Sequence, residues 1–473
     1  MKHLRLLTYL LLLCLWPMFL AACREELATS PSDQPTLSVD TLHMGLLLTD
    51  NSSPTYQVKL FNRCGAELRL TSIALRNAAV SGFRMNVDGM NGTEFSNSDL
   101  LRIASGDSMF IFVEATFEGR GTLATTQHND YIDVTCNGRT QTIVLDAESK
   151  DVIKLRGMVL ANDATWARGT EVQIYDSLVI PRGVRMTLAD STTFYLHDKA
   201  EILVRGTLRC EGTLANPVTL RGDRTDWMFD NLPYDNLPSQ WGALRIDTSA
   251  NATFLHTDIH GLADGIVIDS MANVTFDACR LKNSDGNLVT SRMARLTLRN
   301  CEMSNAAGAL LDIYGGWNEV THCTLANYNF AAVATRRALC LNSWNENGEQ
   351  AMPLHECVIR NTLIHGRWNN PDISYPSEVG VANGTVSNFL FDHCLLLANG
   401  EDDPNFLNII WGEDPLFSLI DVENYTFDFH VKEGSPAIGA GSADGAAICP
   451  TDLDGNTRSA DKPTIGCYED PIP

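Results

Sequence analysis

Residues 276–283 read FDACRLKN, 298–305 read LRNCEMSN and 320–327 read VTHCTLAN, so Cys279, Cys301 and Cys323 follow one another at intervals of 22 residues. The segment FLHTDIHG at 254–261 extends the series one step back, with Thr257 at the cysteine position. Three residues before that position stand Phe254, Phe276, Leu298 and Val320, and two after it Ile259, Leu281, Met303 and Leu325. Residues on one face of a strand are an even number apart, so two inward columns offset by odd and even steps require a corner between two short strands. Gly261, Asn283, Asn305 and Asn327 follow four residues after the cysteine position. Their types tolerate a left-handed backbone and predict a second bend. Val267, Val289, Leu311 and Val333 are a third apolar column.

Two bends and three short strands per 22 residues describe one coil of a parallel β-helix, whose coils stack about 4.8 Å apart and pile each residue class on itself. The cysteines read as an inward column of small apolar side chains. The period continues with insertions through LHECVIRN (354–361, with Cys357) and FDHCLLLAN (391–399, with Cys394).

The segments YDSLVIPRGVRMTLADSTTFYLHDKAEILVRGTLRCEGTLANPVTLRGD (175–223) and WGALRI (241–246) resemble the entry coils of right-handed parallel β-helix, pectate-lyase-like lipoproteins of Bacteroidota. The stretch 412–470, with DPLF, GSPAIGAG, DLDGN and IGCYE, is similar to the tail that closes such helices. The resemblance implies a β-helix over 153–411 with a capping region at 412–473. It does not settle the chemistry, because this fold hosts lyases, hydrolases, adhesins and inert stalks.

Ahead of the helix, residues 36–150 alternate in short apolar runs such as TYQVKLFN, LRLTSIAL and SMFIFVEATF, separated by turns including Asn137-Gly138. This pattern predicts an antiparallel β-sandwich, and its order resembles the immunoglobulin-like modules of bacterial surface proteins. In such a module Cys64 and Cys136 lie at one end, either as a disulfide or as two thiols. The fold class is therefore all-β, an immunoglobulin-like sandwich followed by a right-handed parallel β-helix with coils of about 22 residues.

Residues 1–23 read as a leader: Lys2 and Arg5, the apolar run LLTYLLLLCLWPMFL, then LAAC ending at Cys23. The run is too short for a spanning helix. The small residues before Cys23 resemble the bacterial lipobox, which implies lipidation at Cys23 and attachment to the membrane through that lipid alone. REELATSPSDQP (24–35) reads as a flexible tether. Its Glu25 and Glu26 resemble the signal that sends lipoproteins to the outer face of the outer membrane.

The chain has 473 residues and a formal net charge of −23. That charge disfavours nucleic acid and polyanionic partners. Of thirteen cysteines, Cys14 and Cys23 belong to the leader, leaving an odd number and excluding a fully paired disulfide framework.

No catalytic constellation stands out. NSDG at 283–286 matches only the first part of the aspartate pattern of β-helix polygalacturonases, and no cofactor is implied, except that DLDGN (Asp452 to Asn456) spaces oxygen ligands like part of a calcium loop. Two groups of residues are candidates for binding. Trp227, Tyr234, Trp344, Trp368 and Tyr375 lie in insertions between coils and suit stacking on sugar rings, whereas Trp241 begins a coil and reads as core. His322, His355 and His393 precede or flank the cysteine position in three coils and form a candidate polar ridge. These features predict a surface-anchored protein that binds polysaccharide or a host or matrix surface, with a polysaccharide lyase or glycoside hydrolase as the alternative.

Overall fold

The computed structural model describes residues 26–470, apart from 97–98, 122–123, 230, 330–335, 368–377 and 383–385. Cys23, Trp368 and Tyr375 lie outside the described residues. The chain divides into two units between Asp151 and Val152.

The first unit is a two-sheet sandwich. One sheet runs in the order Thr36–Leu37, Tyr56–Phe61, Ser108–Ala115, Phe83–Val87, Met90–Gly92. The other runs Thr41–Leu48, Arg139–Lys150, Thr126–Cys136, Leu68–Leu75, Glu94–Ser96. Burial alternates along Ser108–Ala115, so Met109, Ile111 and Val113 meet Ile73, Ile132 and Leu145 of the facing sheet in one core. One pairing departs from the antiparallel expectation: Thr41–Leu48 joins Arg139–Lys150 in parallel. Cys64 and Cys136 are both free thiols, and burial pushes the Cys136 thiol up to about 11.

The second unit is the parallel β-helix. Each coil has three flanks, illustrated by Asn273–Asp277 (flank A), Arg280–Ser284 (flank B) and Val289–Arg292 (flank C). Flank A is a ten-stranded parallel sheet; flanks B and C join into a seventeen-stranded sheet. In register, Phe254, Phe276, Leu298, Val320, Ile359 and Phe391 form one inward column. Phe254 and Phe276 stack with ring centroids 4.6 Å apart.

The corner between flanks A and B is a single left-handed residue in six consecutive coils: His256, Ala278, Asn300, His322, Asn361 and His393, with φ between 40° and 53°. After it comes the small-residue column Thr257, Cys279, Cys301, Cys323, Thr362 and Cys394. The carbonyl before the corner accepts the backbone N–H of the preceding coil's corner residue, and the side chain after the corner adds a second donor to it. Cys279 reaches Asp277 O at 3.3 Å, Cys301 reaches Arg299 O at 3.1 Å, and Thr362 reaches Arg360 O at 2.9 Å. Cysteine and threonine share this column because each is small and carries a donor at the γ position. Burial drives the Cys279 and Cys301 thiols well above their ordinary range, which makes the column chemically inert.

Three positions differ from the sequence pattern. Cys357 is not in the corner column. Val320 pairs with Ile359, past a bulge at His355, so Cys357 falls on flank A opposite Asn318 and Thr362, five residues on, takes the corner. In the third column Ile266, not Val267, pairs with Val289, because Gly265 shortens that bend by one residue. Val333 lies outside the described residues, and Leu339 pairs with Leu311. At the second bend Asn283 and Asn305 are left-handed. Asn327 instead spans the bend with its side chain, accepting from Ala306 N and donating to Ala306 O.

The 412–473 segment is expected to close the helix end; its described part, 412–470, runs back along the helix flank as a strap. Ser442 bonds Asn361, Thr451 O accepts from Asn300, and Gly466 O accepts from His322. The short helix Ala443–Ile448 lies so close that a Cβ on Gly445 would sit 2.1 Å from Asn361 Nδ2.

Candidate functional site

Outward positions on flank B lie one and three residues after the corner column. In the first three coils of the repeat they are Asp258 and His260, Arg280 and Lys282, and Glu302 and Ser304, aligned by the parallel register. In the next coil they become Thr324 and Ala326, both buried. Polar chemistry is thus concentrated on one short stretch of flank B.

Two other segments fold over this stretch. The hairpin Phe417–Asp421 with Thr426–Val431 comes from the strap, and the 223–240 insertion meets it where Asn236 donates to Tyr425 O at 3.5 Å. Between them and flank B lies a cleft of about 250 Å³, lined by Asn236, Lys282, Asn283, Glu302, Ser304, Asn305, Tyr425, Phe427 and Phe429.

The charges around the cleft are fixed by neighbours. His260 is 3% exposed, with Nε2 2.7 Å from Asp235 and Nδ1 2.9 Å from Asp258. Burial alone would favour neutral imidazole, but the two carboxylates outweigh it and raise its pKa. Burial opposes ionisation of Asp258 as well, yet Lys282 and His260 hold it well below the usual carboxylate range. Asp235, also bonded to Arg221 at 2.9 Å, is lowered despite its burial. At the far side Arg280 pairs with Asp454 at 3.0 Å, and Tyr468 donates to Glu302 at 2.5 Å. His430 lies between Asp428 and Asp454, at 2.6 and 2.9 Å.

Two polar groups lining the cleft are left over. Lys282 has its pKa raised chiefly by Asp258 but forms no salt bridge within 4 Å among the described residues. Asn305 is 5% exposed, and its Oδ1 has no hydrogen-bond partner. A buried amide oxygen without a partner carries a desolvation cost of about 1–3 kcal/mol, which a ligand donor would relieve.

The sequence-predicted residues are distributed differently. Trp227 is 58% and Trp344 44% exposed. Trp227 emerges between flanks B and C and Trp344 between flanks C and A, so they occupy separate edges. Tyr234 is half-buried beneath the Arg224 guanidinium, 3.7 Å away. Trp241 is core and donates to His260 O at 2.7 Å. The three ridge histidines are not brought together. His322 is fully buried under the strap, and burial, then Arg458, keeps it neutral. His393 bonds Asp392 at 2.6 Å. His355 is the bulged residue on flank A, stacked on Trp317 at 4.2 Å. In DLDGN, Asp452 accepts from the backbone of Asp454, Asn456 and Glu469, and no group of three metal-ligating side chains forms among the described residues.

The chain matches no family model and no curated protein. Among solved structures, the catalytic domain of a GH87 alpha-1,3-glucanase in complex with nigerose aligns over 82% of this chain and 91% of its own, at 10% identity and a TM-score of 0.23. A protein of unknown function from Porphyromonas gingivalis W83 aligns over 26% of this chain and 50% of its own, at 16% identity and TM-score 0.19. This chain thus spans about half the length of that protein. A family 123 glycoside hydrolase from Clostridium perfringens covers 30% of each chain, at 8% identity and TM-score 0.18. Likeness this slight assigns neither fold nor activity. The strand pairing itself defines the class: an all-β protein of two units, a β-sandwich and a parallel β-helix with a roofed polar cleft on one flank.

Proposed function

We propose that the protein binds glycan at the flank B cleft and is held at the outer face of the outer membrane by a lipid on Cys23. One observation carries the binding reading: Lys282, which forms no salt bridge within 4 Å among the described residues, and Asn305, whose side-chain oxygen has no hydrogen-bond partner, line a cleft walled by Tyr425 and Phe427. Sugar hydroxyls both donate and accept, so one ligand serves an ammonium and an amide oxygen together, while its C–H face lies on a ring. Lys282 is held protonated and Asp235 and Asp258 ionised. Fixed charges of this kind suit recognition, whereas a general acid or base works best with a pKa near the working pH. The net charge of −23 favours an uncharged chain over a polyanion.

A panel of oligosaccharides tested for binding and cleavage checks this reading. Asn305 has φ 58°, so Asn305→Gly keeps the backbone comfortable while removing the unpartnered oxygen. It is expected to weaken binding about tenfold, near 1.4 kcal/mol, with the melting temperature nearly unchanged. Equal affinity in the variant sinks the assignment of the cleft. Reducing ends released by the wild type and lost in the variant would replace binding by hydrolysis. Separately, Cys23→Ala should release the protein from membranes; a variant that still sediments with the outer membrane refutes the lipid anchor.

A further inference from the structure

The outer face of the five-stranded sheet in the sandwich carries its own arrangement of chemistry. Register places Gln57, Phe112, Asn86 and Asn91 side by side across four strands. Arg84 and Glu114 form the adjoining pair. A groove of about 800 Å³ opens over this face, with Phe112, Arg84, Asn86, Asn91, Glu114 and Thr55 in its lining. That volume lies within the range of small-ligand sites.

We infer that this groove is a second glycan site, taking a neutral oligosaccharide. The Phe112 ring is half-buried and lies in the lining of the groove, which gives a floor suited to the C–H face of a sugar. The polar groups beside it are already immobilised. Asn86 Nδ2 donates to Asn91 Oδ1 at 2.9 Å while Asn86 Oδ1 accepts from Gly89 N at 2.8 Å. Thr55 donates to Glu114 at 2.6 Å, and Arg84 is bound to Glu114 at 3.4 Å and to Thr116 at 2.9 Å. Groups fixed beforehand lose little entropy on binding. Arg84 and Glu114, the charged residues in the lining, neutralise each other, so a charged sugar finds no unmatched counter-charge and an uncharged one meets amide, carboxylate and guanidinium at hydroxyl height.

The test is calorimetric titration of the purified protein with neutral glucan, mannan and galactan oligosaccharides and with a uronate oligomer. Each titration is repeated with Phe112→Ala, Phe112→Tyr and Asn305→Gly. At least one neutral oligosaccharide should bind in a mode weakened about tenfold or more by Phe112→Ala, retained in Phe112→Tyr and unaffected by Asn305→Gly. The Phe112 ring lies outside the core, so the melting temperature serves as the folding control. Absence of any Phe112-dependent binding, binding of the uronate alone, or binding abolished by Asn305→Gly and indifferent to Phe112 overturns the inference. The last outcome leaves the flank B cleft standing.

Discussion

Arg458→Met should lower stability by about 3–5 kcal/mol, the usual cost of removing one partner from a buried ion pair. The Arg458 side chain is fully buried, and that of Glu469 is 4% exposed. Arg458 donates to Glu469 at 3.2 Å, Asn300 Oδ1 at 2.9 Å and Gly466 O at 3.1 Å. It therefore joins the strap to itself and to the helix. Without the guanidinium, the Glu469 carboxylate stays buried with only backbone donors from Ser459 and Thr464. Limited proteolysis should then cut within 412–473 before it cuts the coils. If denaturation midpoint and cleavage pattern both match the wild type, the strap does not depend on this pair. Acid should act on the same segment through His322. Its pKa is depressed in the folded chain, so the stability it contributes is complete above the unfolded value of about 6.5 and is lost as pH falls below that value. His260 and His430, both raised, oppose this trend. The diagnostic is therefore a difference: His322→Asn, which suits the left-handed corner, should flatten the loss seen on melting the wild type between pH 7.5 and 5.

Phe276→Ala should cost about 3–5 kcal/mol, and Phe276→Leu less than about 1.5 kcal/mol. Phe276 is fully buried, stacked on Phe254 and followed in its column by Leu298 and Val320. Leucine already fills this place one coil on, whereas alanine leaves a void that neighbours paired above and below cannot close. Urea denaturation followed by intrinsic fluorescence separates the cases. A cost under about 1 kcal/mol for alanine, far short of the range for a buried ring, would remove Phe276 from the stack.

Inward positions were readable because stacking forces them to repeat. Phe254, Phe276 and Leu298 face the same environment in successive coils, so period alone reveals them. Register failed at Cys357 for the converse reason: the residue type matched, but the coil that continues the column is Ile359 to Gly366, with Thr362 at the corner five residues beyond Cys357, and insertions and bulges leave no periodic trace. The cleft was hidden more deeply. Asp258, Arg280 and Glu302 share a column yet differ in every coil, since an outward column answers to whatever covers it. Its cover, Tyr425 and Phe427, is distant in sequence and outside the repeat. One signal was available, the change from charged pairs at 258 and 260, 280 and 282 to Thr324 and Ala326 on the same flank. Insertions draw attention to the exposed tryptophans because loops are free to vary. That reasoning passes over Phe112, whose place on a regular strand made it look like ordinary sandwich patterning.

Repeat architectures ordinarily lengthen or shorten by whole units, since each coil touches only its neighbours. The strap described above withdraws that freedom here. It is fastened to Asn300, His322 and Asn361 on three successive corners, and a coil gained or lost among them would carry an anchor about 4.8 Å out of step. The strap thus acts as a gauge of coil number. Because the cleft has one wall on the coils and the other on that gauge, its width is calibrated by the length of the helix rather than by the cleft residues themselves.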